Sequence, residues 1–450
     1  MRSLLYIANR AKRFFLRANS LISARPEVND KISSIKERMV KMKRIPLVFL
    51  LLLSLTLLLS AKSLEDLTAG EWRQDMRFLE EKLLSTHPNL FFNTDDGTFR
   101  QLLRSLERDL EDLSSSEIYT RLTEIVASIG DGHTAIYPDS RLAVYPIYTY
   151  WFTDGLYIVA TSDSEKYLLN CRVVEIAGLE VEDVFERLRK VVSFDNEWGF
   201  LQSHSDYLNK EEIMKGLGMV DMDGNLLLKV EKEGEIIEAS LKPQREGFHW
   251  IQKRVDEIER TYQGRKYWYQ YYPDSRILHF HYASCGSEKG NPFILFNCRM
   301  FLFTWTNPVS KFVLDLRGNR GGSSVVLAPF ILRMMIDWRL NRTGKLFVLI
   351  DRGTFSSAVL NAISMRKRTN AIFVGEPTGG SPRHYGEVDR FQLPNSGISV
   401  SCSTTYWKTT SDTSEAFMPD ILAVRSFQDY YEMRDLAFEA VMTYGWEGEE

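Results

Sequence analysis

Apolar positions along this chain change their spacing several times, and each change marks an element. Residues 45–61, IPLVFLLLLSLTLLLSA, form an uncharged apolar run behind Lys41, Lys43 and Arg44. From Trp72 the spacing becomes helical: 72–84 and 99–113 are amphipathic, and Ser114 to Ser116 offer capping hydroxyls ahead of Ile118, Leu122, Ile125, Val126 and Ile129 on one face. Gly130 ends that helix, and a turn through Asp131, Gly132, His133 and Thr134 leads into a short strand at Ala135. Residues 141–243 alternate as short strands, with a helix predicted near 181–191 and a strand, glycine turn and helix start over 172–181. Residues 244–275 read as a polar, aromatic connection.

The last unit has the clearest pattern. KFVLDL (311–316) is a short apolar strand followed by a glycine-rich turn and a helix over 325–335. LFVLI (346–350) precedes a turn and a helix from about 356 to 367, and 371–374 is a third strand. Strand and helix alternating at these lengths imply right-handed crossovers and a mainly parallel sheet. The expected fold is therefore multi-domain α+β: a basic extension plus signal peptide or anchor (1–63), an N-terminal helical region (64–140), a β-rich module (141–243) and a C-terminal α/β domain (244–450).

Charge changes this picture. The 450 residues have net charge −4, but residues 1–44 hold 12 bases against 3 acids, whereas Leu64 onward holds 43 bases against 57 acids, net −14. An acidic body argues against a nucleic-acid partner, whose phosphates require a basic face. Basic, then apolar, then small residues is the order of a secretory signal; seventeen apolar residues also approach the length of an uncleaved anchor. The body is thus expected to be exported, extracellular or in the cell envelope, with membrane association possible through Ile45–Ala61. Met39 and Met42 are natural alternative starts. The four cysteines lack a C-x-x-C pair and read as buried thiols.

In parallel sheets, chemistry gathers where strands end and helices begin. Ser356 lies there, at the start of a helix whose free amide donors and dipole suit a nucleophile and half an oxyanion hole, although the same place suits a simple N-cap serine. The turn Arg317 to Gly322 is neither a phosphate loop nor a dinucleotide fingerprint, and Gly321 or Gly322 could supply a second amide. The seven histidines include no HExxH, so neither a metal nor another cofactor is expected. His133 differs from the other histidines in being flanked by glycine-permitted turns.

Three segments in chain order, GDGHT (130–134), LDLRGNRGG (314–322) and LIDRGTFSSA with VGEPTGG (349–358 and 374–380), resemble the tail-specific, or C-terminal processing, serine peptidases over roughly residues 65–425. The resemblance implies a PDZ-like module at 141–243, a polypeptide substrate, Ser356 as nucleophile, and the amides of Ser357 and of Gly321 or Gly322 as oxyanion donors. Ser381 stands where the better-known branch has its lysine, and Lys367 and Lys408 lie too far along the chain to replace it. The tricorn-like branch of that family implies His133 as the base, active above its ordinary pKa of about 6.5, with Glu415, or Asp412 second, as orienting carboxylate. Asp315 and Arg317 are expected to form a buried ion pair. The rival reading is a non-catalytic ligand- or peptide-binding protein on the same fold.

Overall fold

The computed structural model describes residues 63–138, 141–245, 249–252 and 264–445. The expected signal or anchor lies outside them. No helix among the described residues is long and apolar enough to cross a membrane.

The first α-helices among the described residues are α1 (Ala69–Thr86), α2 (Asp96–Asp109) and α3 (Ser115–Ala127), and the first and third open on capping boxes, Thr68 with Glu71 and Ser114 with Glu117. There follow β1 (Ala135–Ile136), β2 (Ile147–Phe152), β3 (Gly155–Ser162), β4 (Arg172–Ile176), β5 (Leu179–Glu180), α4 (Val181–Leu188), α5 (Glu197–Leu208), α6 (Glu211–Gly216), β6 (Leu226–Lys232), β7 (Glu235–Leu241) and β8 (Trp250–Gln252). The C-terminal half contains β9 (Tyr267–Tyr272), β10 (Ile277–Tyr282), α7 (Phe293–Thr306), β11 (Lys311–Asp315), α8 (Ala328–Ile336), β12 (Leu346–Ile350), α9 (Ser357–Arg368), β13 (Ile372–Gly375), β14 (His384–Gln392), β15 (Ser399–Trp407), β16 (Ile421–Leu422), α10 (Phe427–Tyr431) and α11 (Leu436–Thr443).

The described residues form three sheets. The predicted parallel core is the six-stranded sheet β16-β13-β12-β11-β10-β9, parallel throughout except for β9. Its β12 is fully buried at all five positions, as a sheet covered on both faces requires. One face packs an aromatic cluster including Phe280, Phe296, Phe312 and Phe330; the other packs Val313, Phe347 and Leu349 beneath Ala437 and Val441 of α11. The β-rich module is an antiparallel sheet, β2-β3-β4-β6-β7, with β5 paired to β4 and β8 to β3.

Two features depart from the sequence expectation. Two helices, α5 and α6, lie inside the segment read as β-rich, and 244–275 holds strands β8 and β9. The third sheet, β1-β15-β14, pairs Ala135 with Ser401 and Ile136 with Val400, so the histidine turn is stitched to a hairpin of the C-terminal half. Accordingly, Trp72, Leu122, Val173, Val230, Val400 and Cys402 share one core.

Arg352, just after β12, bolts these parts together. It is 2% exposed, pairs with Glu376 at 2.7 Å, donates to the Trp151 carbonyl at 2.9 Å, and lies over the Tyr150 ring at 4.6 Å. Removing one member of a buried pair strands the other charge, so Arg352→Ala should cost about 3–5 kcal/mol in urea unfolding, and Arg352→Met with Glu376→Met should recover most of it. A loss below about 1 kcal/mol, typical of an exposed pair, would contradict this role.

Candidate active site

Ser356 sits between β12 and α9 with φ 54° and ψ −127°. A non-glycine residue at positive φ costs roughly 1–3 kcal/mol and persists only where its surroundings enforce it. The turn facing it is closely packed: a Cβ on Gly321 would lie 2.8 Å from Ser356 Cβ and 3.1 Å from Ser357 N, and one on Gly322 would lie 2.4 Å from the Cys285 carbonyl oxygen. Both glycines also have positive φ, +100° and +131°. Ser356 holds the N-cap position without a capping hydrogen bond from its side chain. The simple N-cap reading of this serine is thus not what the structure shows.

The two glycines differ in what their amides do. Gly321 N donates to Asn319 Oδ1 at 2.9 Å, an intraturn bond that removes it as a donor to a ligand. Cys285 and Gly322 form a parallel bridge in which Cys285 N donates to Gly321 O and Ser323 N donates to Cys285 O, leaving Gly322 N without a hydrogen-bond acceptor among the described residues. Ser357 N, the first amide of α9, is likewise unused, and Ser357 Oγ donates to the Gly322 carbonyl at 2.8 Å. Of the three expected donors, Gly322 and Ser357 remain available.

His133 is brought to the same place by the turn before β1, which Asp131 organises. The buried Asp131 carboxylate accepts from His133 N (2.9 Å), Thr134 Oγ1 (2.5 Å), Ser403 Oγ (2.6 Å) and His87 Nε2 (3.3 Å). Asn89 N donates to His87 Nδ1, which fixes the tautomer that makes Nε2 the donor. Burial alone would raise the Asp131 pKa, but the His87 bond, the His133 charge and the two hydroxyls overcome it and hold the group at about 2.

His133 is 8% exposed, and its ring stacks with Phe355 at 4.4 Å and His384 at 5.4 Å. Its Nδ1 is 3.9 Å from Asp131 Oδ1, and neither ring nitrogen has a hydrogen-bond partner among the described residues. Burial, with smaller contributions from His384 and Arg390, outweighs the attraction of Asp131 and lowers its pKa to about 4. The sequence expectation of an ordinary imidazole pKa is thereby corrected: desolvation favours the neutral ring. Asp195 faces the same turn, accepting from Gly132 N (2.8 Å) and Ser381 N (3.2 Å), and burial together with the Asp131 charge raises it to about 7.

Ser356, Ser357, Gly322 and His133 all line one cavity of about 700 Å³. The hydroxyl and the imidazole share this wall without a direct hydrogen bond, and the Phe355 ring lies against the imidazole. Tyr137, Phe194 and Trp407 add aromatic surface, while Arg320, Arg390 and Lys210 oppose Asp206. Gly321 is not in the lining. Glu415 is exposed in the wall of an adjoining cavity shared with Asp131, Asp195 and His384, and its backbone carbonyl accepts from Asn196 Nδ2 at 2.9 Å. Asp412 is exposed and binds Ser414 N and Oγ. Lys367 is committed to the Thr409 carbonyl at 2.6 Å, well away from the serine. Asp315 and Arg317 form the expected ion pair at 2.7 Å, and Arg317 continues to Asp435.

Among the described residues, two trios place metal-type ligand atoms close together, Asp131 with His133 and Asp195, and His279 with His281 and Asp315. In both, the carboxylates are already engaged, by amides and hydroxyls in the first and by the Arg317 guanidinium in the second. Sequence reasoning missed Asp131, Asp195, Phe355 and His384 as neighbours of His133. Asp131 is inside the GDGHT motif, but the other three reach the ring only through long-range folding.

Residues 326–423 match peptidase family S41. No curated protein sequence matches the chain. The chain is similar to the crystal structure of mature CPAF, with 14% identity and a TM-score of 0.58 over 84% of this chain and 98% of that one. It is similar to mature CPAF complexed with lactacystin at 14% identity and a TM-score of 0.57, over 84% of this chain and 97% of that one. At such identities the likeness speaks for the fold. The family match spans the segment that carries Ser356, and the likeness to these solved structures extends over the fold described above.

Proposed function

We propose that the protein hydrolyses polypeptides through an acyl-enzyme formed on Ser356, with His133 as general base. The observation that carries this reading is the strained Ser356 backbone with a hydroxyl that caps nothing. Strand-to-helix turns of this kind hold a serine Oγ out toward a substrate. His133 takes the hydroxyl proton as Ser356 Oγ attacks the scissile carbonyl and returns it to the leaving amine; water then repeats the sequence on the ester. The amides of Gly322 and Ser357 receive the developing oxyanion. The imidazole and hydroxyl must close their gap as substrate enters, as catalytic hydrogen bonds often do when a Michaelis complex forms. Asp131, 3.9 Å from Nδ1, steadies the ring. Glu415, across the adjoining cavity, would fill the third role only through an intervening group. The basic, apolar and small order of residues 41–63 supports export, with Ile45–Ala61 either removed or kept as an anchor.

A fluorophosphonate should label the chain once, at Ser356, by peptide mass mapping, and Ser356→Ala should abolish both labelling and turnover of an unfolded protein substrate. His133→Ala should lower turnover by about 10²–10⁴-fold, the usual worth of a positioned base. A folded chain that resists the label would instead favour the binding-protein reading.

Since the base must be neutral, and burial holds its pKa near 4, kcat/KM should rise through about pH 4 and be level from pH 5 to 6.5. A midpoint near 6.5 would mean that the ring is solvated in the working enzyme.

Gly321→Ala should cut kcat by at least about tenfold while its amide bond to Asn319 persists, because the new methyl presses on Ser356 Cβ. Unchanged kcat would show that the serine does not depend on this packing.

A further inference from the structure

The helices α7 and α8 cover one face of the parallel sheet, yet their outward sides are as apolar as their inward ones. Ile294, Leu302 and Trp305 on α7 are 51%, 65% and 58% exposed; Leu332 and Ile336 on α8 and Trp338 just after it are 53%, 63% and 75% exposed. The two sets are continuous, since Arg339 lies 3.8 Å above the Trp305 ring and donates to the Thr304 carbonyl at 3.1 Å. An exposed apolar surface of this kind marks an interaction site.

Charge identifies the partner. Between Pro292 and Lys345 the chain has eight bases and only two acids, Asp315 and Asp337, both buried. Lys311, Arg317 and Arg320 are engaged away from this face, and Arg333 and Arg339 pair with Asp337. Arg299, Arg342 and Lys345 are exposed, and no acid in the stretch is. A second copy meeting this face symmetrically would set arginine against arginine, whereas anionic lipid headgroups complement them. Tryptophans flanked by aliphatic and basic side chains suit the headgroup boundary. Where the apolar run at 45–61 is kept as an anchor, it also holds the chain at a membrane.

We propose that the outward face of α7 and α8 rests on an anionic membrane surface, with Trp305 and Trp338 in the headgroup layer and Arg299 and Arg342 on the lipid phosphates. Cys298 provides the probe, because it is exposed in the middle of α7 while Cys171, Cys285 and Cys402 are buried. The full chain, carrying an environment-sensitive fluorophore on Cys298, is mixed with phosphatidylcholine vesicles with and without phosphatidylserine. A blue shift and an intensity gain of about twofold or more are expected with phosphatidylserine only, together with quenching by a lipid-borne quencher and reversal by salt. Leu302→Glu with Trp338→Glu should abolish the change, and Arg299→Glu with Arg342→Glu should remove its dependence on phosphatidylserine, both with unaltered circular dichroism. This readout is local to α7, so attachment through residues 45–61 alone does not produce it. No spectral change, an equal change on neutral vesicles, or a fluorophore already shielded before vesicles are added would overturn the proposal; the last outcome would mean that a second copy or the chain's own apolar segment covers the face.

Discussion

The buried carboxylate of Asp131 is the interaction on which the site depends. It gathers donors from the N-terminal helices through His87, from its own turn through His133 N and Thr134, and from the C-terminal hairpin through Ser403. A buried charge is tolerated only when so satisfied, and satisfying it forces three distant stretches of chain to converge. His133 is carried to the cavity by that convergence, and β1 is pinned to β15 beside it. The second constraint acts at Ser356, whose positive φ lies against the glycine turn so closely that a Cβ on Gly321 would come within 2.8 Å of Ser356 Cβ. Each reactive group is thus positioned by backbone packing, and the cavity is where the two packings meet.

The electrostatics of the pocket follow from the same burial. His133 is neutral because desolvation exceeds the pull of Asp131, while Asp195 is held near 7 because it is buried beside a carboxylate that is already charged. Two carboxyl groups around one imidazole therefore have their pKa values pushed apart, one to about 2 and one to about 7. Such separation is typical of sites that perform acid and base chemistry near neutral pH.

Sequence patterning made the parallel core legible, since β11, β12 and β13 are short apolar runs whose ends are marked by glycine turns and helix starts. It also exposed Ser356, His133 and the Asp315–Arg317 pair, because their local motifs are sharp. It did not expose α7, for a physical reason: residues 293–306 are apolar on the outward as well as the inward side, so no helical periodicity stands out from them. Asp195, His384 and Phe355 were hidden because their relation to His133 is made only by the fold. Nor could local pattern distinguish Gly321 from Gly322; the difference is which amide Asn319 consumes.

The account turns on Ser356 becoming acylated while the oxyanion sits on two backbone amides. Mixing the enzyme with excess activated ester and following leaving-group release on the millisecond to second scale measures this directly. A burst equal to one leaving group per chain, absent from Ser356→Ala, is the predicted result. A linear trace with no burst, together with no ester adduct on Ser356 after acid quenching, would contradict it.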